Sequence, residues 1–163
     1  GIKMFKFTDL QYIPINLASG VINVSICSKT VWEQLCTCKS ADIACGMLVN
    51  DIPQNLPDKL VLVQSYKESL LKAKEELQLE VPSYPMKAEK DEIKYSIYTY
   101  ADKMVRDYSG LSIYEVDNIS VLEYWLLLRD AFIYKLAQTK DGREYLNNAY
   151  RLTQTDADED IDL

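Results

Sequence analysis

The sequence predicts a mainly α-helical bundle with a small N-terminal β-hairpin, and three observations carry that expectation. Apolar residues recur at steps of three and four through Asp58 to Leu79, Ala88 to Tyr108 and Ser120 to Gln154, the period of one helix face. Val21 to Cys27 (VINVSIC) instead alternates apolar and polar residues and is rich in β-branched types, the pattern of a half-buried strand. Turn-forming clusters such as Asn50 to Pro57 (NDIPQNLP) separate these stretches. A chain of 163 residues fits one domain and can bury a core without disulfides or a structural metal. We expect 1–154 to be that domain, with 1–56 a mixed segment holding the hairpin, 57–154 helical, and 155–163 an acidic flexible tail.

Taken in order, Tyr12 to Asn16 (YIPIN) is the antiparallel partner of the strand, with Ala18-Ser19-Gly20 as the turn. Pro14 cannot donate to a ladder and so points to an edge. Val31 to Cys38 and Ser40 to Val49 read as short helices, with Ser40 capping the second. Beyond the turn-rich break, Leu62, Tyr66, Leu70, Ala73 and Leu77 fall on one face while lysines and glutamates fill the other. One long helix explains them; a capping box at Ser65-Tyr-Lys-Glu68 would start the helix later and leave Leu60 to Gln64 as a strand. Pro82 and Pro85 end this helix and force an extended connection.

Ile93, Ile97, Ala101, Met104 and Tyr108 repeat at four, four, three and four, so Ala88 to Tyr108 is expected to be helical and Gly110 to be its left-handed stop. A second row, Tyr95, Tyr98, Asp102 and Val105, lies on an adjacent face; packing on a neighbour explains it more simply than a ligand platform. In the last third, Ser120-Val-Leu-Glu123 forms a capping box that opens the run Tyr124, Trp125, Leu126, Leu127 and Leu128. A helix from Ser120 to Gln138 is roughly 28 Å long and apolar around nearly its whole circumference before Arg129, which marks a central helix. Arg129 and Asp130 then need a partner or an exposed position, because isolated charges are costly to bury. Thr139-Lys-Asp-Gly142 is the reversal, and Arg143 to Gln154 is a short helix expected to fold back on the core helix through Tyr145, Leu146, Ala149, Tyr150 and Leu152.

Composition narrows the function. The apolar fraction is 48% and the charged fraction 26%, near globular averages. Tyrosine outnumbers phenylalanine 12 to 3, and a large apolar ring with a polar tip suits half-buried faces and interfaces. Of the net charge of −7, five negative charges come from Asp156, Asp158, Glu159, Asp160 and Asp162. An acidic chain with no basic stripe repels a phosphate backbone, which argues against nucleic acid as a partner. Glu123, Arg129, Asp130 and Lys135 break the longest apolar stretch, which argues against a membrane span, and no basic region followed by an apolar run opens the chain as a secretory signal does.

Cys27, Cys36, Cys38 and Cys45 raise the question of zinc. Their spacing is a CxC flanked by single cysteines, not paired CxxC knuckles, and the chain has no histidine. Reduced thiols buried as small hydrophobes are the simpler account, and no metal or cofactor is expected. The same lack of histidine excludes Ser/His/Asp and Cys/His nucleophile pairs. The five glycines form neither GxGxxG nor GxxxxGK[ST]. Glu75 with Glu76, and Glu89 with Asp91 and Glu92, sit among lysines as solvated helix faces do. The residues point to a non-enzymatic protein.

The segment SVLEYWLLLRDAFIYKLAQTKDGREYLNNAYRLTQTDAD resembles the C-terminal part of tail assembly chaperones of bacteriophages and prophages. The matching features are the apolar helix running into Arg129-Asp130-Ala131, the turn and helix start Lys140-Asp141-Gly142-Arg143-Glu144-Tyr145-Leu146, and Gln154-Thr155-Asp156. The resemblance covers about a quarter of the chain. It implies a cytoplasmic protein of the bacterial host cell that keeps the tape-measure protein soluble and helps tail-tube subunits assemble around it. It also makes Arg129, Asp130, Arg143, Tyr145 and Tyr150 the candidate partner-binding residues, on a chain able to form a homo-oligomer. A second expectation of a different class stands beside it: a structural or adaptor helical protein, such as a phage connector component or a host-encoded interaction module.

Overall fold

The computed structural model describes residues 10–77 and 97–161. It is mainly α-helical with an N-terminal antiparallel hairpin, as the sequence predicts. In chain order the elements are β1 (Tyr12–Leu17), β2 (Gly20–Ser25), α1 (Lys29–Thr37), α2 (Ala41–Leu48), α3 (Leu56–Glu76), α4 (Tyr100–Ser109), α5 (Ile113–Asn118), α6 (Val121–Ala137) and α7 (Lys140–Ile161). The described residues gather into two compact units, one from 10–77 with 111–126, the other from 97–110 with 127–161.

In the first unit the hairpin pairs Tyr12 with Ser25 through Leu17 with Gly20, so Ala18 and Ser19 alone make the turn. Gly20 sits at φ 131°, a backbone conformation that only glycine adopts freely. Ile13, Ile15 and Val24 face inward while Tyr12, Pro14 and Asn23 face out, the period-two pattern read from the sequence. Pro14 stands opposite Asn23, a pair that exchanges no ladder hydrogen bond, since the paired exchange runs through Gln11 and Ile26 and every second pair after it. Its missing N–H therefore falls on the open edge, where it costs the sheet nothing.

The inner face of the hairpin lies on α3, whose stripe Leu62, Tyr66, Leu70, Ala73 and Leu77 is at most 7% exposed. A single long helix forms, and the Ser65 to Glu68 capping box is not used. Asn55 caps α3 by accepting from the Asp58 N–H at 2.8 Å, and Pro57 occupies its first turn, where a missing donor is harmless. Asp58 is 4% exposed yet well satisfied. Its Oδ1 accepts from the Ala18 N–H at 3.2 Å, and its Oδ2 accepts from Asn55 Nδ2 at 3.2 Å and from the Ser19 hydroxyl at 3.4 Å. The positive end of the α3 dipole favours that carboxylate, so one side chain ties the hairpin turn to the helix start.

Tyr66 does the same for the other end of the hairpin. Its hydroxyl accepts from the Cys27 N–H and donates to the Ser25 carbonyl, both at 2.8 Å. Beyond it, two serines act as a pair: Ser28 caps α1 by accepting from the Val31 N–H, Ser120 accepts from the Glu123 N–H, and the two form an isolated antiparallel bridge. Lys29 N–H donates to the Ile119 carbonyl and Val121 N–H to the Cys27 carbonyl. This bridge positions the start of α6, whose Trp125 is 7% exposed and meets Trp32 edge-on at 5.3 Å and 86°. The Lys74 ammonium lies 5.2 Å from the Trp125 ring centre.

Helix α5 is an addition to the sequence reading. Ser112 and Glu115 close a reciprocal capping box there, the Ser112 hydroxyl accepting from the Glu115 N–H and the Glu115 carboxylate accepting from the Ser112 N–H. Six residues are too few to show an apolar period, so the box was its legible sign. α2 carries the predicted Ser40 cap.

Candidate functional site

In the second unit, α4 and α6 face each other through side chains that helical spacing selects. Tyr100, Met104 and Tyr108 are four apart on α4, and on α6 Tyr134 and Lys135 follow Ala131 by three and four residues, with Gln138 just past the helix end. The tyrosines hold the helices apart, and Ala131, being small, leaves the space between them unfilled. The result is a groove of about 310 Å³ with Met104 and Ala131 as floor. The floor is buried, at 9% and 4% exposure, while Tyr100, Tyr108 and Tyr134 stand at 41%, 43% and 60%. The Tyr108 and Tyr134 rings touch at 5.8 Å between centres, tilted by 54°.

The lip of the groove is charged. Lys103 pairs with Asp107 one turn on. The Lys135 ammonium donates to the Tyr100 hydroxyl and sits 4.8 Å from the centre of the Tyr100 ring, and no carboxylate among the described residues pairs with it. Gly110, at φ 77°, ends α4 where the sequence places its stop, its N–H donating to the Arg106 carbonyl at 2.8 Å. The helix itself begins at Tyr100, so Ile97 and Tyr98 precede it, 60% and 98% exposed, and do not extend the expected rows. Val105 of the second row is buried, while Ile93 of the first row and Tyr95 of the second lie outside the described residues.

None of the five residues singled out from the sequence lines this groove. Arg129 and Asp130 are brought together: Arg129 Nη1 lies 2.7 Å from Asp130 Oδ1, with both side chains half-buried and Arg129 Nε enclosed without a hydrogen-bond partner. Arg143 Nη1 donates to the Ala137 carbonyl at 3.0 Å, satisfying an orphan acceptor at the end of α6. Tyr145 is half-buried and Tyr150 is 65% exposed. The reversal before α7 is tighter than the sequence suggests, because α7 starts at Lys140 with Thr139 as its cap, the Gly142 N–H donating to the Thr139 hydroxyl at 3.0 Å. α7 and α6 meet closely at this corner, where Gly142 packs against the Leu136 carbonyl. The α7 backbone is helical through Ile161, seven residues past the expected end at Gln154.

The cysteines are free thiols at different depths: Cys45 buried, Cys27 and Cys38 half-buried, Cys36 exposed. Among the described residues, no three metal-ligating side chains converge. Burial raises the Cys27 thiol above its ordinary value, against the lowering effect of its hydrogen bond with Tyr66, and burial raises Cys45 as well. Burial likewise pushes the Tyr66 phenol well up. Burial thus favours the neutral form of each of these groups. Among the described residues no helix is long and apolar enough to cross a membrane.

Sequence reasoning passed over the groove because its residues are shared between segments over twenty positions apart, and neither row alone is unusual. The signal that could have found it is the tyrosine-over-phenylalanine bias joined to an alanine at the centre of an otherwise bulky helix. No family model, no curated protein and no solved structure matches this chain.

Proposed function

We propose that this chain is a non-enzymatic phage tail morphogenesis protein that chaperones the tape-measure protein during tail assembly. The observation that carries the binding role is the groove between α4 and α6, where three half-exposed tyrosines surround an apolar floor. Such a surface takes a few apolar side chains of a client helix while its hydroxyls stay wet, so it can hold and release a client without a dry, permanent interface. The specific client comes from the resemblance of the run through Arg129 to Leu146, and the net charge of −7 helps keep a loaded complex dispersed.

The test is co-expression of the tagged chain with the tape-measure gene product encoded in the same genome. The expected result is a soluble tape-measure protein that elutes with the tagged chain, and loss of that solubility when Tyr134 is replaced by Asp. A tape-measure protein that stays insoluble, or a genome with no tail-tube and tape-measure genes beside this one, overturns the reading. Recovery of the chain in finished particles supports the structural or adaptor role in its place.

A further inference from the structure

We infer that the groove between α4 and α6 is a small-molecule site for an aromatic carboxylate, one ring joined to its acid group by a short chain. The inference goes beyond the proposed chaperone role and holds whether or not a tape-measure protein is the client.

Size sets the first limit. Small-molecule sites run from about 300 to 1,000 Å³ and are lined mainly by apolar and aromatic groups with a few placed polar ones. The groove, at about 310 Å³, stands at the lower end of that range, with room for one ring and its chain and not for a dinucleotide or a whole helix. Its floor, Met104 and Ala131, is buried and apolar, so a ring lying there leaves water. The Tyr108 and Tyr134 rings beside the floor, together with the Met104 thioether, offer the edge and sulfur contacts that an aromatic ring prefers to a saturated chain.

Charge sets the second limit. Three tyrosines around a pocket are also the parts of a cage for a quaternary ammonium. Here the cation's place is taken, because the Lys135 ammonium lies 4.8 Å from the centre of the Tyr100 ring and donates to its hydroxyl. Asp107, the one carboxylate in the lining, is already paired with Lys103. An incoming cation therefore meets two ammonium groups and a carboxylate that is engaged. An anion meets Lys135, which gives Tyr100 one of its three N–H donors and has no carboxylate partner among the described residues. On a chain of net charge −7, two lysines against one acid reverse the local sign, and that reversal selects the charge of the ligand. Ala131 and Lys135 are one helical turn apart on α6, roughly 5–6 Å between their Cβ atoms. A chain of a few carbons bridges a ring on the floor and a carboxylate at Lys135.

An NMR titration of the purified full chain with 4-phenylbutyrate, 4-phenylbutan-1-ol and (4-phenylbutyl)trimethylammonium tests this, with no other protein present. The Met104 methyl signal reports the groove, and Met47, on α2 in the first unit, is the control. Phenylbutyrate should shift Met104 and not Met47, with a Kd of about 0.1–1 mM. It should bind about two- to five-fold more tightly than the alcohol and about ten-fold more tightly than the ammonium. Lys135→Gln changes an exposed side chain, so the helical circular dichroism signal should be unchanged; binding of the alcohol should stay the same and the preference for the carboxylate should disappear. The inference is overturned by an unmoved Met104 signal with all three probes, by shifts at Met47 alone, or by an affinity for the carboxylate no greater than for the alcohol or the ammonium. A Lys135→Gln chain that keeps the carboxylate preference overturns it as well.

Discussion

Replacing Tyr66 by Phe removes one oxygen from a side chain that is 0% exposed and leaves the ring packing unchanged. That oxygen holds two hydrogen bonds of 2.8 Å, from the Cys27 N–H and to the Ser25 carbonyl. The Ser25 carbonyl belongs to a strand pair that exchanges no ladder hydrogen bond and Cys27 lies past the strand end, so no ladder partner replaces the hydroxyl. At about 0.5–1.5 kcal/mol net for each bond, the loss comes to about 1–3 kcal/mol. A chain of this length loses roughly 2–4 °C in Tm per kcal/mol, so a central loss of about 2 kcal/mol predicts a fall of roughly 4–8 °C. Urea denaturation with an unchanged slope measures the free energy, and amide hydrogen exchange at Cys27 measures the local release. A loss below about 0.5 kcal/mol, or unchanged protection at Cys27, would show that the hydroxyl does not anchor the hairpin and would refute the reasoning.

Gly142→Ala places a Cβ against the Leu136 carbonyl oxygen and 2.6 Å from its carbonyl carbon, both backbone atoms that cannot swing aside. It should cost about 2–4 kcal/mol and disturb amide shifts at the α6–α7 corner, whereas Gly46→Ala, whose nearest neighbour is the Ile52 side chain at 3.7 Å, should fall within about 1 kcal/mol of wild type by the same denaturation assay. Asp58→Ala removes acceptors from Ala18, Ser19 and Asn55 at once and should cost about 2–4 kcal/mol, with exchange at Ala18 accelerated. Trp125→Ala should cost about 3–5 kcal/mol through its cavity and lost contact with Trp32, while Tyr150→Ala, at a 65% exposed position, should stay within about 0.5 kcal/mol. In pH, the Cys27 and Cys45 thiols and the Tyr66 phenol are all raised, so the folded chain keeps protons that the unfolded chain gives up. Their stabilisation is complete below the ordinary thiol value of 9.0 and declines as pH rises through and above it. Tm measured from pH 7 to 11 should fall at the alkaline end, and a flat profile contradicts the assignment.

Much of the fold was legible because it rests on local rules. The alternation of Val21 to Cys27, the Leu62 to Leu77 stripe, the Ser40 cap and the Gly110 stop each need only a few neighbouring residues, so the sequence by itself determined the hairpin, the long α3 helix and the end of α4. It also set the trp-centred α6 helix and the acidic balance that disfavours a phosphate backbone. What it left open depends on residues distant along the chain. Arg143 looked like a contact residue until the structure turned it onto the Ala137 carbonyl, and nothing in the local sequence around Asp58 foretold its contact with the Ala18 and Ser19 turn. The groove exists because tyrosines from α4 meet an alanine on α6. Propensity and periodicity choose which face of a helix is apolar. Only tertiary packing decides how much of that face is covered and where a small residue leaves space, because both depend on what the chain brings opposite it.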